Sequence, residues 1–503
     1  MLSVLYIIVT AFIVLVLART ILYTGRNRFI QPVEKDDIPI DDAVRRLSKA
    51  IQFETVSTQS PVDINGEAFR EMHKFLKKEF PLVHSHLKRE VINNYSLLFT
   101  WGGSNSQLKP VMLTSHLDVV PVEPGTESDW EHPPFGGNIS DSYIWGRGAM
   151  DVQCGVLAIL ESVEWLIANG YQPECTIYLG FGHDEEIDGE FGASSIGQIL
   201  KERGVELDFL LDEGLPIVEE MMDMLKGPVA LVAIAEKGYL SVELSVASEG
   251  GHSSVPQGIT SIAILSEAIH KLEKNPMPAR IDGLVKEMLQ SLGSHMSIVY
   301  RIVMANIWLF QRVIKDHLIK LPETSAVMRT TGAATIFESG MKENVLPTQA
   351  RAVINFRLHP SDSIADVIDH VRKTINDPRV RITKMHGHIE PSRLSDVNSE
   401  SYKKLRRTIR EVFPDVTVSP ALMIGATDAR HYAGLTSNIF RFLPLRANRS
   451  DLDRVHGTNE RLSIGNYEEM IQFYIQLLRN TSVIKTGPGP VRTETIEVTT
   501  DVV

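Results

Sequence analysis

The chain has 503 residues, 43% hydrophobic and 23% charged, a balance that excludes a disordered or fibrous protein and suffices for a large buried core. A net charge of −12 excludes a general nucleic-acid binder, which needs basic surface. Two cysteines, Cys154 and Cys175, exclude a disulfide scaffold, although one bridge between them stays open.

Leu2 to Ala18 is an uncharged apolar run that Ile21, Leu22 and Tyr23 extend past Arg19, so residues 1–23 read as a signal peptide or membrane anchor. Val16-Leu17-Ala18 offers a signal-peptidase site. The uncharged start and the later Arg26 and Arg28 point instead to an uncleaved anchor. Sequons at Asn94, Asn138, Asn448 and Asn480 suit a secretory route. A secreted glycoprotein is the reading adopted, with a single-pass membrane-anchored protein as the alternative.

Beyond a polar linker, Ile40–Ile51 and Gly66–Glu79 have helical apolar spacing. Buried-strand runs follow at Val111–Thr114, Thr176–Phe181 and Phe209–Leu211, with a helix at Gly155–Ala168. This order predicts an α/β domain with a largely parallel sheet, whose ligands bind beyond the carboxyl ends of the strands. From Tyr239 a β-α-β-β-α-β order predicts an inserted ferredoxin-like α+β domain. Its elements are an alternating strand, a helix at Ser261–Leu272, strands at Ala333–Phe337 and Gln349–Leu358, a helix at Ile364–Ile375 and a strand at Val380–Thr383. The expected division is a catalytic domain over 40–236 and 386–482, an inserted lid or dimerisation domain over 237–385, and a disordered tail over 485–503. Ser297–Leu318 reads as a strongly apolar helix broken near Asn306: extra core, a greasy wall beside the site, or a patch for lipid.

Each of the three strand runs ends in ionisable residues. His116 and Asp118 alternate at a strand end and can face one site, where a carboxylate can hold the second imidazole nitrogen of a metal-bound histidine. Asp151 follows Gly146-Arg147-Gly148-Ala149-Met150 and heads a helix, as an N-cap or as a carboxylate shared by two metals. His183-Asp184-Glu185-Glu186 crowds charge that a cation would relieve, and Asp212-Glu213-Gly214 repeats the placement. His456 arrives late, in a loop before the last helix. Two histidines and three carboxylates suit two zinc ions that share one carboxylate.

These segments, in this order and with Gly251-His252-Ser253-Ser254, resemble the di-zinc peptidase family that contains aminoacylases and glutamate carboxypeptidases. The resemblance covers roughly residues 40 to 480 and implies a zinc-dependent exopeptidase-like catalytic domain. Ala235-Glu236-Lys237-Gly238 and Arg329 through Phe337 resemble the branch that hydrolyses and forms N-fatty-acyl amino acids. That implies an N-acyl amino acid, a fatty acid and an amino acid as small-molecule partners and a homodimer as a further one, while the apolar segment at Ser297–Leu318 adds a lipid particle or membrane surface.

By the same resemblance, His116 and Asp212 hold one zinc, Glu186 and His456 the other, and Asp151 bridges. Asp118 orients His116, Glu185 is the general base, and His252, Asn344 and Arg357 reach substrate from the inserted domain. Val152-Gln153 and Gly425-Ala426-Thr427-Asp428 depart from the family pattern without removing a ligand. The rival readings are a metallocarboxypeptidase or dipeptidase of the same family, and a non-catalytic binding protein on that scaffold.

Overall fold

Strands that are apolar at nearly every position need cover on both faces. Val111–His116 and Ile177–Gly182 have it: they lie inside an eight-stranded mixed sheet between two helical layers. The structure, a computed structural model, describes residues 2–23, 30–58, 64–219, 227–256, 258–293 and 296–482. The tail expected over 485–503 lies outside the described residues.

Across the sheet the strands run Lys88–Ile92, Ser96–Trp101, Ile177–Gly182, Val111–His116, Phe209–Val218, Ile439–Ala447, Val229–Glu236 and Thr417–Met423. The four strands from Ile177–Gly182 to Ile439–Ala447 are parallel, as the sequence pattern requires. Antiparallel neighbours flank them, Ser96–Trp101 on one side and Val229–Glu236 on the other, and Asn93 and Asn94 at positive φ turn Lys88–Ile92 back onto Ser96–Trp101. Side chains alternate between two cores. Leu97, Phe99 and Leu113 enter the core shared with Gln153–Ala168 and Ile464–Thr481, while Leu98 and Met112 enter that shared with Ala193–Glu202.

The chain leaves this sheet at Glu236 and, after Lys237 alone, starts a second at Gly238. There the antiparallel order is Thr331–Ser339, Gln349–Leu358, Gly238–Ala247, Arg381–Lys384, backed by helices Ser261–Lys274 and Ile364–Ile375. Leu240, Val242, Leu244 and Val246 fill a core of its own with Val367 and Val371. This is the expected inserted ferredoxin-like α+β domain.

Between its first helix and second strand the insertion also carries a helical unit. Gly283–Gly293 packs on Thr417–Met423, and Ile298–Ala305 and Ile307–Leu318 are broken at Asn306 as the sequence predicts. They adjoin the N-terminal helix Leu2–Tyr23. One question the sequence left open is answered, and one sequon is corrected. Cys154 and Cys175 are both free and buried, so no bridge joins them. Asn480 is buried, its amide donating to Thr408 and Glu411, which closes that sequon to a glycan.

Candidate active site

The parallel strands end on one edge, and the ionisable residues collect there. His116 closes Val111–His116 and is 1% exposed. Its Nδ1 lies 2.9 Å from the Asp118 carbonyl and 3.4 Å from Asp118 Oδ1, so Asp118 fixes the ring. The same carboxylate accepts from the Glu185 and Glu186 N–H groups at 3.2 Å each, and thus also orders the turn after Ile177–Gly182.

Asp151 spans the two histidines. Its Oδ1 is 3.3 Å from His116 Nε2 and its Oδ2 is 2.9 Å from His456 Nε2. The Asp151–Val152 peptide bond is cis. Glu186 Oε2 lies 3.3 Å from His456 Nε2, and Glu185 Oε2 4.0 Å from His116 Nε2. His116, Asp151 and Glu186 present ligand atoms within 4.8 Å of one another, as do His116, Glu185 and Glu213.

The structure corrects one expected ligand. Asp212 is not the carboxylate beside His116: its Oδ1 accepts from Thr114 Oγ1 (2.7 Å) and its Oδ2 from Ala429 N–H (2.8 Å). The next residue, Glu213, stands there instead, with Oε1 3.2 Å from His116 Nε2. Neighbours on a strand face opposite ways, so one step in sequence exchanges the site for the turn at 427–432. Gly214 permits the step. Its φ is +153°, and a Cβ would come within 2.6 Å of Arg441 Cβ.

A second pair escaped the sequence reading. Glu460, fully buried, accepts from Met150 and Asp151 N–H (2.7 and 3.0 Å) and from Arg147 Nη1 (2.7 Å). Arg147 Nη2 donates to the His456 and Gly457 carbonyls (3.2 and 3.0 Å). One ion pair therefore ties the Asp151 loop to the His456 loop. Its signal was Arg147 between two glycines and a glutamate four residues after His456. Removing one partner strands a buried charge. Arg147→Met is expected to cost about 3–5 kcal/mol in chemical unfolding and about 10–100-fold in metal affinity. Unchanged metal titration would separate the pair from the site.

The donor set fits cations. His116 Nε2 and Glu186 Oε1 are buried and, among the described residues, have no hydrogen-bond partner. Burial pushes Glu213 up to about 7, and burial, with Glu213, Asp428 and Glu186 beyond it, raises Glu185 well above the ordinary glutamate range. Burial would likewise raise Asp151, yet the flanking His116 and His456 outweigh it and hold the carboxylate low. Asp151 and then Glu186 raise His456 to about 10. Six carboxyl and imidazole groups compensating one another at this density are what a divalent cation replaces.

Glu185, Glu186 and His456 open on a cavity of about 1380 Å³ that Arg357, Lys237 and Arg441 also line. Arg357 thus shares the cavity with the ionisable cluster. His252 and Asn344 do not line it among the described residues. They sit together on an exposed two-stranded ladder, where Ser253 N–H donates to the Asn344 carbonyl. Residues 297–318 do not line it either, so the greasy wall expected beside the site is not formed by them.

The model of peptidase family M20/M25/M40 matches residues 112–480, which include every residue of this cluster. The chain belongs to that family. It is an enzyme of the metal-dependent hydrolase type. Probable carboxypeptidase S-like 2 of Dictyostelium discoideum is 43% identical over 93% of this chain and 92% of its own. The N-fatty-acyl-amino acid synthase/hydrolase of Xenopus tropicalis is 42% identical over 88% of this chain and 87% of its own. Among solved structures, the fold is similar to an M20 family metallo-carboxypeptidase from Sulfolobus solfataricus, with a TM-score of 0.63 at 19% identity over 87% of this chain and 99% of that one. Human carnosine dipeptidase 1 gives a TM-score of 0.59 at 17% identity over 88% and 96%.

Proposed function

We propose that this chain hydrolyses the amide bond of N-fatty-acyl amino acids and, in reverse, joins a free fatty acid to an amino acid. Two zinc ions are the metals proposed, one held by His116, Asp151 and Glu213, the other by Asp151, Glu186 and His456. Zinc at such a centre supplies a nucleophile at neutral pH and polarises the carbonyl. The observation that carries the reading is that Asp151 reaches both histidines while adjacent Glu185 reaches neither at hydrogen-bond distance. Glu185 is thereby left for proton transfer. As general base it takes a proton during attack on the amide carbon, then passes it to the leaving amine. Asp118 acts as a positioning residue through His116, and Arg357 is the cation offered to the amino-acid carboxylate.

The substrate class is supported by relatives such as the frog and mouse N-fatty-acyl-amino acid synthase/hydrolases, the latter 41% identical over 90% of this chain. A peptidase reading has its own support in the 43%-identical Dictyostelium relative. Purified protein should be assayed on N-acyl amino acids and on dipeptides, with and without chelator. Faster, chelator-sensitive turnover of N-acyl amino acids is expected; a preference for dipeptides overturns the substrate assignment.

His252 and Asn344 serve, in this reading, the site of a second copy. Ile336 and Phe337 lie exposed on the edge strand Thr331–Ser339, a surface available to such a homodimer. His252→Ala should lower kcat by roughly 10²–10³, the cost of losing one oxyanion donor. Mixing it with Glu185→Gln should restore partial activity. Activity that stays absent in the mixture, with both variants dimeric, removes the action across subunits.

A further inference from the structure

We propose that the N-terminal helix Leu2–Tyr23 is retained in the working protein and forms, with Ile298–Ala305 and Ile307–Leu318, one surface that embeds in a lipid bilayer. The surface belongs to the fold rather than to an appended leader. Val16, Thr20 and Tyr23 are its inward stripe, at helical spacing, with Phe12 one turn further along. Phe12 packs edge-on against Trp308, with ring centroids 6.1 Å apart. Asn306, fully buried at the helix break, donates its amide to the Ile302 carbonyl and also to Thr20 Oγ1 and the Val16 carbonyl. Two of those three acceptors come from the N-terminal helix. Tyr23 Oη donates to the Gln290 carbonyl. A helix discarded on maturation would take two of this amide's three acceptors with it.

Beside this contact the same unit keeps a largely exposed apolar surface among the described residues, with Trp308 at the seam. Val299 is 65% exposed, Trp308 51% and Val313 68%, beside Ile298, Tyr300 and Leu309, a cluster too apolar to read as scattered surface residues. A bilayer is the occupant because the patch is continuous with a helix of membrane length. Its 22 residues extend about 33 Å, against about 30 Å of hydrocarbon. From Tyr23 to Phe12 is about 16 Å, roughly one leaflet, so Trp308 beside Phe12 reaches leaflet depth. Arg312, Lys315 and Lys320, with Asp316 the one acidic residue between 297 and 320, give the unit basic side chains suited to anionic headgroups.

The test does not depend on the substrate. Full-length protein is reconstituted in vesicles of phosphatidylcholine and phosphatidylserine, with or without brominated phosphatidylcholine. Four of the five tryptophans, Trp101, Trp130, Trp145 and Trp165, pack against the catalytic domain. Brominated lipid should therefore remove about a fifth of the emission of the wild type and none from Trp308→Phe. Val313→Trp in the Trp308→Phe background should regain the quenching and serves if the first variant folds poorly. Intact mass of protein expressed in eukaryotic cells should show the N-terminal helix present. Quenching that is equal in wild type and Trp308→Phe overturns the proposal and leaves the patch to a second copy. A mature chain lacking the helix, free in solution or recovered on lipid particles, overturns it as well.

Discussion

Glu185→Gln is expected to retain the metal content of the wild type and to lose turnover by about 10²–10⁴-fold, whereas Glu186→Gln should lose metal as well as activity. The two side chains are neighbours in sequence and alike in chemistry, so only placement separates them. Glu186 Oε2 lies 3.3 Å from His456 Nε2, which also contacts Asp151. Glu185 stands 4.0 Å from His116 Nε2, outside that contact, and lines the open cavity. The amide of glutamine has nearly the shape of the carboxylate and keeps the turn that Asp118 holds through both backbone N–H groups. What it removes is the capacity to accept a proton. Metal analysis beside single-turnover rates checks the pair of variants, and equal metal loss in both would cancel the assignment.

The large sheet was legible because buried parallel strands write themselves as apolar runs, and such strands deliver their ends to one edge. His116, Glu185 and Glu186 therefore stood out at strand ends, whereas Asp151 after its glycine turn and His456 in a late loop took their roles from the family resemblance, and all five are found together. The edge strands were less legible. Lys88–Ile92 is half-exposed and carries charge, so its pairing follows from the Asn93–Asn94 turn rather than from apolarity. Glu460 and Arg147 were hidden for another reason: each is an ordinary charged residue until the loops that bear them meet, some 313 positions apart in sequence. His252 and Asn344 show the limit of a single chain, since their ladder is exposed and, among the described residues, does not line the cavity. The apolar segment at 297–318 was recognised as a broken helix, but its partner is the N-terminal helix, and no periodicity in either segment names the other.

Glu213→Gln should weaken metal binding at the His116 side by more than about 10²-fold, beyond the range usual for outer-shell changes, while Asp212→Asn should leave metal content intact. The sequence offers both carboxylates at one strand end, and the alternation of the strand decides between them. Glu213 lies 3.2 Å from His116 Nε2. Asp212 spends both oxygens elsewhere, on Thr114 Oγ1 and Ala429 N–H. An asparagine can still accept one of those two hydrogen bonds, and the Thr114 hydroxyl can rotate to accept from its new NH₂ group. The loss is then at most one buried contact to a charged acceptor, about 1–3 kcal/mol, visible in a denaturant titration and not in the metal content. For Glu213 the pattern reverses. Burial already raises its carboxyl to about 7, so its ionised form is costly without a cation and its removal relieves the metal-free fold while stripping the site. The metal-free Glu213→Gln protein is accordingly expected to be no less stable than the metal-free wild type. A metal-replete Glu213→Gln enzyme beside a metal-poor Asp212→Asn would return the ligand to Asp212 and require the strand end to rotate its two carboxylates when the ion binds.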